Sequence, residues 1–138
     1  MAEYLERILK AQVYDLAIET SLDPAPRLSA RLGNQILLKR EDMQPVFSFK
    51  LRGACNKLAQ LTPAERAAGM ICSSAGNHGQ GVALAGRALG VRSVIVMPTT
   101  TPTIRARRCV RWAVKSYCTG SPMTMPTRVP GNLLRLKA

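Results

Sequence analysis

Met70-Ile71-Cys72-Ser73-Ser74-Ala75-Gly76-Asn77-His78-Gly79-Gln80-Gly81-Val82-Ala83-Leu84-Ala85-Gly86-Arg87-Ala88-Leu89 is the stretch that decides the architecture. Its first four residues are a short apolar run that reads as a buried strand, while Val82, Ala85, Gly86 and Leu89 recur at the spacing of one helical face. A loop of small residues, 74–81, joins the two. Working outward, Ser93-Val94-Ile95-Val96-Met97, closed by Pro98, reads as another buried strand, and so does Gln35-Ile36-Leu37-Leu38-Lys39-Arg40, with a buried centre. Leu51, Ala54, Cys55 and Leu58 share one helical face. Thr62 as cap, Pro63 at the first position and Glu65 at the third open a short helix that Gly69 ends. Helices alternating with short, fully apolar strands predict an α/β protein whose parallel sheet is covered on both faces.

At the N-terminus, Tyr4, Leu5, Ile8, Leu9 and Val13 follow a helical period opposite Glu3, Glu6, Arg7 and Lys10, which predicts an amphipathic helix packed on the domain. The prolines of Thr20-Ser21-Leu22-Asp23-Pro24-Ala25-Pro26 break the pattern. Leu28 to Leu32 can form a helical turn closed by Gly33-Asn34. No apolar run is long enough to cross a bilayer, and the first residues lack a signal-peptide pattern, so the expectation is a cytoplasmic protein without a membrane partner. Cys55, Cys72, Cys109 and Cys118 are far apart in sequence, have no neighbouring histidines, and read as free thiols rather than metal ligands.

The formal net charge of +12 is unevenly spread. Residues 1–104 carry twelve Lys+Arg and all eight Asp+Glu, whereas residues 105–138 carry the other eight Lys+Arg and no acid. A basic tail invites a nucleic-acid reading. This tail has only Trp112 and Tyr117 as aromatics and no amphipathic period, so no nucleic-acid partner is expected.

Two segments can carry chemistry. The 74–81 loop lies between the end of a strand and the start of a helix, where unpaired N–H groups and the helix dipole attract a carboxylate or phosphate. Asn77 adds an amide beside them, although Gly and Asn also serve as plain turn residues there. His78, the single histidine, reads either as a structural group bonded to backbone or as a catalytic one. Upstream, Phe47-Ser48-Phe49-Lys50-Leu51-Arg52-Gly53-Ala54 sets a lysine between two aromatic residues, with Ser48 placed to cap the following helix. An ammonium held between rings is poorly solvated, which favours the neutral amine and suits it to form a Schiff base with an aldehyde cofactor. The octapeptide also reads as a surface lysine whose aromatic neighbours face the core.

Lys-Arg-Glu-Asp-Met-Gln at 39–44, Ser-Phe-Lys-Leu-Arg-Gly-Ala at 48–54, Ser-Ala-Gly-Asn-His-Gly-Gln-Gly at 74–81 and Val-Ile-Val-Met-Pro at 94–98 together resemble biosynthetic threonine dehydratase, a pyridoxal-phosphate-dependent threonine ammonia-lyase. The resemblance covers roughly residues 4–105. It implies part of the three-layer parallel sheet of the fold-type-II (tryptophan synthase beta-like) enzymes and an amino acid as small-molecule substrate. Homo-oligomers are usual in that family. It further implies that Lys50 holds the cofactor and takes the substrate α-proton as general base. Phe49 and Asn77 would lie against the cofactor, and Ser74, Ala75, Gly76, Asn77 and His78 would meet the substrate carboxylate. No metal is implied. The reaction would deaminate L-threonine, with L-serine as a second candidate substrate, to the 2-oxo acid and ammonia in isoleucine biosynthesis. Serine racemases resemble this family but place a serine where this chain has Ala75, which favours elimination over racemisation.

The resemblance stops near Arg105, and this divides the chain into residues 1–105, the N-terminal part of the catalytic domain, and 106–138, a basic and poorly ordered tail. The family's later phosphate-binding loop is not encoded, so the chain is expected to hold half a cofactor site and to be inactive alone. The genetic code accounts for the break. Back-translated and read one base earlier, Trp112-Ala113 forces a Gly codon, and Met123-Thr124-Met125-Pro126 permits Tyr-Asp-Asp-Ala, both as the family pattern requires. The expectation is a frameshift near Ala106. Sequencing the gene checks it: restoring one base there should extend the family pattern, and an extension without that pattern would refute the frameshift.

Overall fold

The computed structural model describes residues 2–112, 115–119 and 134–136. The element order is α1 (Ala2–Leu9), β1 (Leu22–Pro24), α2 (Pro26–Leu32), β2 (Leu37–Lys39), a 3-10 turn (Glu41–Met43), α3 (Lys50–Ala59), α4 (Pro63–Ala68), β3 (Met70–Ser73), α5 (Asn77–Ala88), β4 (Ser93–Pro98), α6 (Thr103–Trp112), β5 (Lys115–Thr119) and β6 (Leu134–Leu136). β3 and β4 pair in parallel from Met70 opposite Ser93 to Ser73 opposite Val96. They form the centre of a four-stranded parallel sheet ordered β5-β4-β3-β6.

Alternate residues of the central strands serve opposite faces, as a pleated strand requires. Met70, Cys72, Ile95 and Met97 face a core built with Ala54, Cys55 and Leu58 of α3, Val82, Ala83 and Ala85 of α5, and Cys109 of α6. Ile71, Val94 and Val96 form a buried cluster on the other face. Every residue of β4 is buried, which explains why its sequence is continuous rather than alternating in hydrophobicity. The predicted parallel α/β architecture is therefore present.

Local signals account for the boundaries near the sheet. Thr62 and Glu65 form the reciprocal capping box of α4 behind Pro63. Gly69, at φ 81°, ends that helix, and a Cβ there would stand 2.7 Å from the Arg92 carbonyl oxygen, so a side chain is excluded both by conformation and by contact. Ser48 takes up the start of α3, its Oγ accepting the Lys50 N–H at 3.3 Å.

Two expectations need correction. The 35–40 segment does form a strand, but β2 is exposed along its length and pairs antiparallel with β1 in a separate two-stranded ribbon. Pro24, which read as a breaker, is tolerated at the end of β1 because it need not donate to a central ladder, and Pro26 opens α2, where its missing N–H costs nothing. Helix α1 forms, yet Tyr4, Leu5, Ile8 and Leu9 are all exposed. The helix stops at Leu9, and it is the next segment, through Val13, Leu16 and Ala17, that reaches the core. The division expected between residues 105 and 106 is a separate matter that the fold does not test; α6 spans it, with Cys109 buried. Of the expected tail, residues 115–119 and 134–136 are strands of the sheet, and the remainder beyond Trp112 lies outside the described residues.

Glycine contacts give a paired test of this packing. A Cβ at Gly86 would lie 1.9 Å from Ser93 Oγ and 2.9 Å from the Val91 oxygen, whereas one at Gly53 would meet nothing within 4 Å. Gly86→Ala should cost about 1–3 kcal/mol, and Gly53→Ala should add about 0.5–1 kcal/mol through helix propensity. Urea unfolding midpoints measure both, with opposite signs expected.

Candidate active site

Lys50 is the first residue of α3, and the segment before it is held by a polar network. Glu41 accepts two hydrogen bonds from Arg52, each at 2.8 Å, and a third from Thr20 Oγ1 at 2.8 Å. Gln44, 1% exposed, accepts the Ile18 N–H through its side-chain oxygen at 3.0 Å and donates to the Ile18 carbonyl at 2.8 Å. Arg52 also donates to that carbonyl. The first turn of α3, the 3-10 turn and the 18–20 segment are thus tied together, which gives the 39–44 motif and Arg52 a physical purpose.

Downstream of Gln44 the chain turns sharply. Phe47 has φ 56°, the single positive φ outside glycine among the described residues, a strained value for a bulky side chain. Its N–H donates to the Gln44 carbonyl at 2.7 Å, and its ring stacks under the Arg108 guanidinium at 4.7 Å. This corrects the expected enclosure of the lysine. The Lys50 ammonium lies 5.2 Å from the centre of the Phe49 ring alone, because the turn at Phe47 directs the other ring to Arg108. Both rings are more than half exposed, so they flank the amine without burying it.

The second part of the site is the loop between β3 and α5. Ser74 is buried, and its Oγ accepts the N–H groups of Gly76 at 3.2 Å and Gly79 at 3.0 Å. Ser74 therefore braces the loop from beneath. The N–H groups of Asn77 and His78, the first two of α5, have no acceptor among the described residues, the arrangement that makes a helix N-terminus receptive to an anion. Asn77 is exposed, and Ala75, Gly76 and His78 are half-buried. His78 is not bonded to backbone through its inner nitrogen, since Nε2 is buried without a partner. Burial, followed by the nearby Lys50 charge, lowers its pKa and keeps the imidazole neutral.

Lysine and loop meet directly. A Cβ on Gly81 would lie 3.2 Å from the Lys50 carbonyl carbon and oxygen and from the Leu51 nitrogen, so α5 rests on α3 at the lysine itself. The sequence reading also missed one residue. Arg105 Nη1 approaches to 3.5 Å of the position a Gly76 Cβ would take, bringing positive charge to the loop. Its signal was available: no carboxylate follows Glu65 in the chain, leaving this guanidinium without a nearby acidic partner in sequence.

Other chemistry is not supported. Among the described residues no group of three or more His, Cys, Asp or Glu could hold a metal. Cys55, Cys72 and Cys109 are buried free thiols, with burial pushing Cys72 to about 12 and Cys109 to about 11, so none offers a ready thiolate. Cys55 Sγ donates to the Gln12 carbonyl at 3.2 Å. No helix among the described residues is long and apolar enough to cross a membrane.

A parallel sheet whose strand β3 runs through a small-residue loop into α5, with α5 packed on the helix that begins at Lys50, is the fold-type-II arrangement, and residues 13–121 match the family of pyridoxal-phosphate dependent enzymes, to which the chain belongs. Its resemblance is specific within that family. It is 60% identical over 103 residues to threonine dehydratase 1 biosynthetic, chloroplastic, of Solanum lycopersicum, covering 75% of this chain and 17% of that protein. It is 58% identical over 103 residues to the biosynthetic L-threonine dehydratase IlvA of Burkholderia multivorans, covering 75% of this chain and 20% of that protein. The solved structure of processed threonine deaminase isoform 2 from Solanum lycopersicum superposes with a TM-score of 0.82 at 48% identity, covering 88% of this chain and 34% of that one. The chain thus spans about a fifth of the length of the curated relatives named here. The residues present fit the family's cofactor: a half-buried lysine amine, an aromatic face beside it, and an unpartnered buried imidazole nitrogen.

The network holding Lys50 can be tested by pH. Arg52 holds the Glu41 carboxyl down at about 2 from its ordinary 4.5, against the opposing effect of partial burial and with help from Thr20 and Gln44. The stability it contributes is present above about pH 4.5 and is lost as pH falls through about 2. Glu41→Gln should cost about 1–3 kcal/mol at neutral pH and flatten the stability loss across that acid window, as read by urea unfolding at several pH values.

Proposed function

We propose that this chain carries the lysine half of a threonine ammonia-lyase, which converts L-threonine to 2-oxobutanoate and ammonia as a step feeding isoleucine synthesis. The observation that carries the reading is the contact of α5 with α3 at the Lys50 peptide, with Lys50 near enough to His78 for its charge to lower the imidazole pKa. When bound, pyridoxal phosphate supplies an electron sink for the charge left on the substrate α-carbon. Lys50 Nζ would hold it and, once released, would take the α-proton as general base.

The loop orients the substrate. The N–H groups of Asn77 and His78 would receive the carboxylate, with Arg105 adding positive charge at Gly76. Ala75 and Gly76 shape its approach, and the Asn77 amide would face the cofactor ring together with Phe49. Ser74 supports the loop through its two accepted hydrogen bonds. Ala75 offers no hydroxyl to return a proton from the opposite face, so elimination is favoured over racemisation. We propose further that residues from about 107 onward are read out of frame, that the parent enzyme is a cytoplasmic homo-oligomer, and that it binds neither nucleic acid nor membrane.

The test uses the chain as given and a gene with one base restored near Ala106. The restored protein should release 2-oxobutanoate from L-threonine, and Lys50→Ala should lower that rate by at least about a hundredfold. Product from neither form would sink the assignment, and product unaffected by Lys50→Ala would remove the lysine from the mechanism.

A further inference from the structure

The side-chain-free contact between α5 and the start of α3 has a functional consequence that packing alone does not require. Gly81 sits in the first turns of α5, three residues beyond His78 and four beyond Asn77, and so shares a face with both. Its Cα lies against the peptide unit that follows Lys50, close enough that an added Cβ would stand 3.2 Å from the carbonyl carbon, the carbonyl oxygen and the Leu51 nitrogen together. All three are backbone atoms, which cannot rotate aside as a side-chain tip can. At this point Leu51 is fully buried and the neighbouring Val82 likewise, so the peptide has no empty space behind it.

We propose that Gly81 is a positioning residue for Lys50: its missing side chain fixes the distance between the lysine backbone and the loop carrying Asn77 and His78. The inference rests on the reading of Lys50 as the cofactor lysine. The two parts of the site come from different helices, 27 positions apart in sequence between Lys50 and Asn77, and among the described residues no hydrogen bond or ion pair joins the two residues directly. What registers them is the backbone contact. A methyl group there would push α3 from α5 by a few tenths of an ångström or tilt the Lys50 peptide, and either movement displaces the root of the side chain whose tip must reach the cofactor aldehyde. Gly79, two residues earlier and so on the sheet side, has a different duty, since its Cβ would meet Ile95 and Ser74.

The experiment measures capture of the cofactor at Lys50 in the chain as given. Pyridoxal phosphate is added, the imine formed by loss of water is reduced with borohydride hydride, and peptide mass spectrometry compares modification of Lys50 with that of Lys39 and Lys57. Gly81→Ala is made alone and together with Gly53→Ala, whose position is open in space and which stabilises α3, the helix that begins at Lys50. Circular dichroism follows folding. The expected result is a folded Gly53→Ala/Gly81→Ala chain in which Lys50 modification falls about tenfold while Lys39 and Lys57 are unchanged and Gly53→Ala alone retains the parental pattern. Equal Lys50 modification in parent and variant overturns the positioning role alone. Loss of the folded state in the double variant also overturns it, by showing that the contact is general packing. Absence of selective Lys50 modification in the parent chain overturns this inference, while the functional reading stands or falls separately on 2-oxobutanoate release by the frame-restored protein.

Discussion

The carboxylate of Glu41 is the constraint on which the lysine's surroundings depend. It receives both arms of the Arg52 guanidinium and the Thr20 hydroxyl, with side chains about one-fifth exposed, so the charges attract one another in a medium that screens them less than bulk water. Arg52 stands two residues after Lys50 in the first turn of α3, and Gln44 couples the same assembly to the backbone of Ile18. The N-terminal segment, the 3-10 turn and α3 therefore move as a unit. The strained turn at Phe47 is held between two fixed points, and that is how a positive φ on a bulky residue can persist.

On the other side, the parallel sheet sets the loop. β3 ends at Ser73 in register with Val96, and Ser74 then donates its N–H to the Val96 carbonyl at 2.8 Å, extending the ladder by one residue before the chain turns into α5. The Ser74 hydroxyl takes up the Gly76 and Gly79 N–H groups, leaving those of Asn77 and His78 facing outward. Anion receptivity at the head of α5 is thus a consequence of which donors are satisfied from beneath. The two assemblies meet at Gly81, where backbone touches backbone.

Much of this was legible from residue patterns because the signals are local. The capping box at Thr62 and Glu65, the apolar runs at 70–73 and 93–97, and the spacing of Leu51, Ala54, Cys55 and Leu58 each reflect a requirement satisfied within a few residues or on one face. The motif at 39–44 was legible only as a resemblance, since its reason lies in partners 21 and 11 positions away, Thr20 and Arg52. Periodicity misled where amphipathic character was taken as proof of a packing partner. Helix α1 has the pattern but leaves Tyr4, Leu5, Ile8 and Leu9 exposed, and Leu37 and Leu38 of β2 are likewise open. Hydrophobic spacing says which face is apolar and not what covers it.

By itself the sequence determined the parallel α/β class and the strand, small-residue loop and helix of 70–89, because strand burial, helix capping and glycine-rich turns are written in short-range composition. Only the tertiary structure decided that Phe47 turns from Lys50 toward Arg108, that Ser74 supports the loop from below, that Arg105 stands by Gly76, and that Gly81 rests on the lysine's own peptide. Each of these depends on atoms brought together by helix packing across the sheet. Such contacts are set by the spacing and orientation of whole elements, which no local pattern encodes.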